Sequence, residues 1–154
     1  MIRRAKEGDI PKILDLLLQV NDVHAAIRPD VFIPGKTKYT PDELIPKLAD
    51  EKTPIFVAVD GEKVVGYAFC VYKEQSGANL VPGKTLYIDD LCVDESERGK
   101  GTGEKLYRHV LQTAKENGCV GVTLYVWEGN DRAKRFYEKM GLVPRATTLE
   151  YKLK

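Results

Sequence analysis

The stretch "DESERGKGTGEKLYRHVL", Asp94 to Leu111, sets three glycines at alternate positions, Gly99, Gly101 and Gly103, directly ahead of an amphipathic helical pattern. Glycine costs backbone entropy where a helix must begin, so its use there needs an offsetting gain. Just upstream, "KTLYIDDLCV" (84–93) reads as a strand interrupted by two adjacent acids, Asp89 and Asp90. Strand, tight turn and helix start therefore follow one another. The free N–H groups of a first helical turn, with the helix dipole, make an anion site. Arg98 and Lys100 add positive charge, and glycines let the backbone close on phosphate oxygens. The segment reads as a phosphate or pyrophosphate cradle; the plainer reading is a turn that packs helix on strand. Its spacing, R-x-x-G-x-G, is neither a Walker A loop nor G-x-G-x-x-G, which would need glycine at Glu104.

Working outward, the pattern gives an α+β (mixed α/β) domain with the order βααβββαβαβ. "MIRRA" is a short first strand, and "GDIPKILDLLLQV" (8–20) is a helix with Ile10, Ile13, Leu14 and Leu17 at helical spacing and Asp9 as its N-cap. "NDVHAAIRPDVFIPGKTKY" (21–39) has no clear period and reads as a loop or broken helix. "TPDELIPKLADE" opens with a capping box, Thr40 with Glu43, and Pro46 keeps that helix short or kinked. "PIFVAVDGEKVVGYAFCVY" (54–72) is a hairpin turning at Asp60-Gly61, with Val65, Tyr67, Phe69 and Val71 on one face. After the cradle, Leu106, Tyr107, Val110 and Ala114 form a helical stripe that stops near Gly118. "CVGVTLYVW" (119–127) reads as a strand buried on both faces, "NDRAKRFYEKMG" (130–141) as a short helix, and "TTLEYKLK" (147–154) as a last strand.

The 154 residues suffice for one domain with a real core, 1–154, and 43% hydrophobic with 31% charged residues is ordinary for a globular chain. A formal net charge of +1 argues against a nucleic-acid binder working through a broad basic surface. No apolar run spans a bilayer and the N-terminus lacks the apolar stretch of a signal peptide, so no membrane role and a cytoplasmic location are expected. Cys70, Cys92 and Cys119 form no CxxC pair and read as small buried apolar residues. His109 reads as exposed on the polar side of its helix, and His24 opens the irregular segment. No cluster has metal-ligand spacing, and no metal is expected.

The segment Leu86–Gly118 followed by "VTLYVWEGNDRAKRFYEKMGL" (122–142) resembles the acetyl-CoA-binding core of the GNAT superfamily of N-acetyltransferases, with both blocks in that family's order and spacing. The likeness covers nearly the whole chain. The acid pair and "GNDRAKRFYEKMGL" are similar to diamine and polyamine acetyltransferases and small bacterial relatives.

The resemblance implies a GNAT-like central, mostly antiparallel twisted sheet flanked by helices. It implies that Arg98, Gly99, Lys100, Gly101, Thr102, Gly103 and Glu104 wrap the pyrophosphate of acetyl-CoA, the co-substrate. Leu91, Cys92 and Val93 would offer main-chain groups to the pantetheine arm, where this strand splays from "CVGVTLYVW" and a bulge near Asp89–Leu91 helps open the gap. Asn130 matches the position that bonds the pantetheine side, Ala133 and Phe136 would line the channel, and Lys134 or Arg135 could reach the adenosine phosphates. Tyr137 falls at the position of the proton donor to the departing thiolate; read alone, it is a core tyrosine.

Acetyl transfer also needs the amine to lose a proton, because an alkylammonium with pKa about 10 cannot attack while charged. Asp89 leads as base, since it matches the acidic position of the polyamine-type relatives. Asp90 stands second, pointing the other way if the strand is regular, and either acid could instead orient a cationic amine. An acyl-Cys92 route lacks a histidine to activate it. The expected function is transfer of acetyl from acetyl-CoA to a primary amine by direct attack in a ternary complex, with a small amine or polyamine-like acceptor leading. A protein or peptide amine is the alternative, and a non-catalytic coenzyme A-binding regulatory domain is the alternative of a different class. A homodimer is open to it through the terminal strand as a pairing or exchange edge.

Overall fold

The computed structural model describes residues 1–154. Its elements are β1 (Ile2–Arg4), α1 (Ile10–Ile27), α2 (Pro41–Ala49), β2 (Ile55–Asp60), β3 (Lys63–Gln75), β4 (Gly83–Val93), α3 (Thr102–Glu116), β5 (Gly121–Leu124) and α4 (Asp131–Lys139), with single 3-10 turns at Glu7–Asp9 and Glu95–Glu97. One five-stranded sheet runs β1-β2-β3-β4-β5. The first three pairings are antiparallel and the last, β4 with β5, is parallel. The chain is therefore the expected α+β sheet flanked by helices. No helix is long and apolar enough to cross a membrane.

Each face of the sheet buries its own core. On one side Ile13, Leu16 and Leu17 of α1 and Leu44 of α2 pack on Val57, Tyr67, Phe69 and Cys92. On the other, Leu106, Tyr107, Val110 and Ala114 of α3 pack on Phe56, Ala58, Ala68, Leu86 and Ile88. The capping box of α2 forms as expected, with the Glu43 N–H donating to Thr40 Oγ1 and the Thr40 N–H to Glu43 Oε1.

Several expectations need correction. Asp9 does not cap α1: its carboxylate accepts from the Lys6 N–H and from both Arg3 guanidinium nitrogens, which closes the preceding turn instead. Helix α1 runs through "NDVHAAI" to Ile27, because Leu17, Val20 and Ala25 keep apolar side chains against the body of the protein. Val65 sits with the α3-side core and Tyr67 with the α1-side core, because the register shift between Ala58 and Val59 leaves Val65 as an extra residue in β3. His109 is half-buried with its ring edge-on to Phe56 at 4.6 Å, and Cys119 is only partly buried. Strand β5 is four residues long and none of them is fully buried. Residues 142–154 form no strand, so the order holds through α4 and lacks its final β.

Candidate active site

The cradle grows out of β4. Asp94, at the end of that strand, is buried, accepts from the Ser96 N–H and Oγ, and is paired with the Lys12 ammonium from α1. Those contacts hold its carboxyl down at about 2, so it stays ionised and fixes where the glycine turn begins. Gly99 and Gly101 take left-handed φ values of 84° and 80°, a conformation that a side chain resists. Gly101 is the residue preceding α3, and no side chain caps that helix. The first-turn N–H groups of Thr102, Gly103 and Glu104 thus donate to no protein group. Gly103 serves a different purpose: a Cβ there would meet the Phe136 ring at 3.3 Å, so its bareness lets α4 lie against α3.

Beside the cradle the sheet opens. Pairing of β4 with β5 ends at Ile88 with Leu124, one residue before Asp89. At the same point the β3–β4 register jumps from Phe69 opposite Asp90 to Cys70 opposite Ile88, leaving Asp89 as an extra residue. This is the expected bulge, and it changes the parity of the acids. Both carboxylates now lie on the α1 side: Asp90 Oδ2 accepts from the Tyr67 hydroxyl at 2.8 Å, and Asp89 Oδ2 accepts from the Tyr39 hydroxyl at 2.5 Å. Lys38 Nζ donates to Asp89 Oδ1 at 2.9 Å. Tyr39 is itself held by stacking on Phe69, ring centroids 5.6 Å apart.

The two acids differ in environment. Burial pushes the Asp90 carboxyl up to about 6, against the opposing pull of the Tyr67 hydrogen bond and the Lys38 charge, with the Asp89 charge adding to the rise. Asp90 is therefore mostly ionised at neutral pH and a stronger base than an ordinary carboxylate. Burial also raises the Tyr137 phenol well above its usual value, helped by the nearby Asp90 charge, so its proton stays on. Cys92 is buried, donates weakly to the Leu16 carbonyl, and is pushed up to about 12 by burial, which leaves a thiol with almost no thiolate.

A single open cleft of about 2640 Å³ gathers these groups, lined by Asp89, Asp90, the cradle and the α4 face that carries Tyr137. Of the residues expected at the site, Leu91, Cys92, Val93, Arg98, Gly99, Gly101, Thr102, Gly103, Glu104, Asn130, Ala133 and Phe136 line it too. Lys100 does not: its ammonium turns to Glu97 at 2.8 Å. Arg135 is also absent from the lining, whereas Lys134 reaches the cleft with its ammonium on Glu128. Asn130 has a local task, since its Oδ1 accepts the Ala133 N–H at 3.3 Å and caps α4.

Tyr67, Tyr39 and Lys38 were missed. Tyr67 left a signal, because a phenol in an otherwise apolar strand needs a polar partner when buried, and two acids follow on a strand able to pair with it. Lys38 and Tyr39 lie in a segment with no motif and left none.

Comparison with known proteins shows the family and the fold. The bovine thialysine N-epsilon-acetyltransferase is 30% identical over 151 residues, covering 92% of this chain and 82% of that protein. The crystal structure of a mutant BH1408 protein from Bacillus halodurans superposes with a TM-score of 0.96 at 31% identity, over 100% of this chain and 99% of that one. An aminoglycoside acetyltransferase from an uncultured soil metagenomic sample, in complex with trehalose, gives 0.73 at 25% identity over 100% and 96%. Residues 20–142 match the model of the acetyltransferase (GNAT) family, and the chain belongs to that family as an acetyl-CoA-dependent N-acetyltransferase.

Proposed function

We propose that residues 1–154 act as one N-acetyltransferase domain that moves the acetyl group of acetyl-CoA to the primary amine of a small cationic acceptor, by direct attack in a ternary complex. The observation that carries the acceptor class is the Lys38 ammonium on Asp89, with the Tyr39 hydroxyl on the same carboxylate. Those groups already hold one alkylammonium at the mouth of the cleft, and a soluble amine that displaces Lys38 meets the same carboxylate. The bovine relative is named for an amine of this kind, the Nε of thialysine.

The acids divide the work. Asp89 holds the cation, and Asp90, with its carboxyl near 6, takes the proton that the attacking nitrogen must lose. This reverses the order expected from sequence: Asp89 is committed to Lys38 and Tyr39, whereas Asp90 is raised by burial, accepts from the Tyr67 hydroxyl and forms no ion pair. The freed amine forms the new N–C bond at the thioester carbonyl, and the C–S bond breaks. Tyr137 gives its proton to the departing sulfur as that bond breaks, and the second proton lost by the acylated nitrogen passes back to the phenolate, leaving the amide, the free thiol of coenzyme A and a neutral Tyr137. The unpaired amides of Thr102, Gly103 and Glu104, with Arg98 beside them, suit the pyrophosphate of the donor. The inert Cys92 thiol favours this direct route over an acyl-cysteine.

The test is thiol release from acetyl-CoA against a panel of diamines, lysine analogues and peptides. Transfer to small diamines or lysine analogues, with peptides poor, is expected. Transfer confined to peptides would replace the acceptor class. Calorimetric binding of acetyl-CoA without transfer to any amine would favour a regulatory coenzyme A-binding domain.

A further inference from the structure

The sheet face that carries Asp89 and Asp90 extends past its helical cover. Helices α1 and α2 sit over Val57, Tyr67 and Phe69. Farther along the strands the register sets Val71 opposite Tyr87, Lys73 opposite Thr85 and Tyr87 opposite Thr123, and directly paired residues share a face. Leu86 and Ile88 belong to the α3-side core, so Tyr87 between them faces the α1 side, as the acids do. Lys73, Thr85, Tyr87, Thr123 and Tyr125 line the open cleft there.

Two ammonium groups stand on this side of the cleft, and they are placed differently. Lys38 Nζ has found a carboxylate, Asp89, at 2.9 Å. Lys73 Nζ has not: it lies 3.9 Å from the centroid of the Tyr87 ring, with no acid within ion-pair distance. Its neighbour in sequence, Glu74, stands opposite Lys84. Burial pushes the Tyr87 phenol up to about 12, so the ring under Lys73 is neutral. Tyr125 meets the same ring edge-on at 5.7 Å and is 78% exposed. The floor of the cleft is therefore polar in one direction, with two carboxylates at one end and an uncompensated ammonium on an aromatic ledge at the other. A second ammonium on that ledge would meet the Lys73 charge, and a cleft partly shielded from water strengthens the repulsion. A carboxylate would pair with it instead. Asp89 and Tyr87 are two residues apart on β4, roughly 7 Å at the usual rise of a strand, so joining the two ends takes a chain of about lysine's length.

We propose that the acceptor is an amino acid with a side-chain amine: its reactive amine goes to Asp89 and Asp90, its carboxylate pairs with Lys73, and its carbon chain lies along Tyr87 and Tyr125. This names the substrate class within the amine-acceptor reading above and rests on it. Lys73 is thus a specificity residue. It holds the far end of the acceptor and takes no part in the making and breaking of bonds at the thioester.

Initial rates of thiol release with acceptors of equal chain length test it: 6-aminohexanoate, its amide, and 1,6-diaminohexane. The acid should exceed the other two in kcat/KM by about tenfold, mostly through KM, the scale of one hydrogen bond between charged groups. Lys73→Met keeps an aliphatic stem on Tyr87 and removes the charge, and should bring the acid level with its amide. Lys73→Arg should retain the preference, and Lys73→Glu should turn it toward the diamine. Lys73 is exposed, so far-UV circular dichroism should be the same for all of these variants. A diamine or amide used as well as the acid, or a preference for the acid that Lys73→Met leaves intact, would overturn the proposal and leave amine acetylation standing. No transfer to any of these acceptors, from a protein that binds acetyl-CoA, would remove the amine-acceptor reading and this inference with it.

Discussion

Replacing Asp90 by Asn should make the protein more stable and less active, and the stability gain should depend on pH. Burial lifts the Asp90 carboxyl from 3.8 to about 6 in the folded chain. At about 1.4 kcal/mol per pKa unit, the charged form costs the fold up to about 3 kcal/mol. Because the folded value is the higher one, the sign is fixed. Below about pH 4 the carboxyl is neutral in both folded and unfolded chains and costs nothing. Between 4 and 6 the unfolded chain gives up its proton while the folded chain keeps it, so stability falls as pH rises. Above about 6 the full cost is present. Asn retains an oxygen to accept from the Tyr67 hydroxyl, so the substitution removes the charge and spares the hydrogen bond. Urea unfolding at pH 8 should show the variant stabilised by about 1–3 kcal/mol, with the two proteins coinciding at pH 4. Its kcat for amine transfer at pH 8 should fall by about 10²–10⁴. An equal offset at both pH values, or a loss of stability at pH 8, would refute the assignment to Asp90 of a charge whose desolvation outweighs its partners.

Tyr137→Phe keeps the ring and removes the proton; kcat should drop by about 10²–10⁴ while acetyl-CoA binds with unchanged affinity by calorimetry. Lys38→Ala frees Asp89, so the KM for a cationic amine should fall about two- to fivefold, the scale of an exposed ion pair, and a rise in KM would count against displacement of Lys38. Gly101→Ala meets no atom within 4 Å of its new Cβ but must hold φ near 80°, so it should lose about 1–2 kcal/mol in thermal or urea unfolding and weaken acetyl-CoA binding together. The rate against pH for wild-type protein should rise through about 6 as Asp90 ionises, and Asp90→Asn should abolish that limb.

The glycine turn and the α4 face of the candidate site are legible because they are made by local sequence. Gly99, Gly101 and the start of α3 follow from chain conformation alone, and α4 declares itself through Asn130 and the Ala133, Phe136, Tyr137 face. The surroundings of the two acids are not, because they depend on pairings between distant segments. Tyr39 and Tyr67 reach the acids from 50 and 23 residues away, and no periodicity marks such partners. Bulges were the other obstacle. One extra residue moved Val65 to the α3 side and another brought Asp90 onto the same side as Asp89, and a two-residue alternation cannot locate either. The apolar run of residues 119–127 suggests burial on both faces, but β5 is a four-residue edge strand paired with β4 alone and bordering the open cleft, so its side chains are only half covered.

The gap between β4 and β5 is set by covalent register. Asp89 is one residue too many for β3 to accommodate, and parallel pairing ends immediately before it. Closing the gap would mean repairing a mismatch built into the polypeptide, so the entrance stands open before any ligand arrives. On the function proposed above, coenzyme A enters here without waiting for a rare opened state, and its association rate should not be limited by a conformational step. The protein carries the cost continuously, as strand edges left to water, rather than drawing it from the binding energy of each turnover.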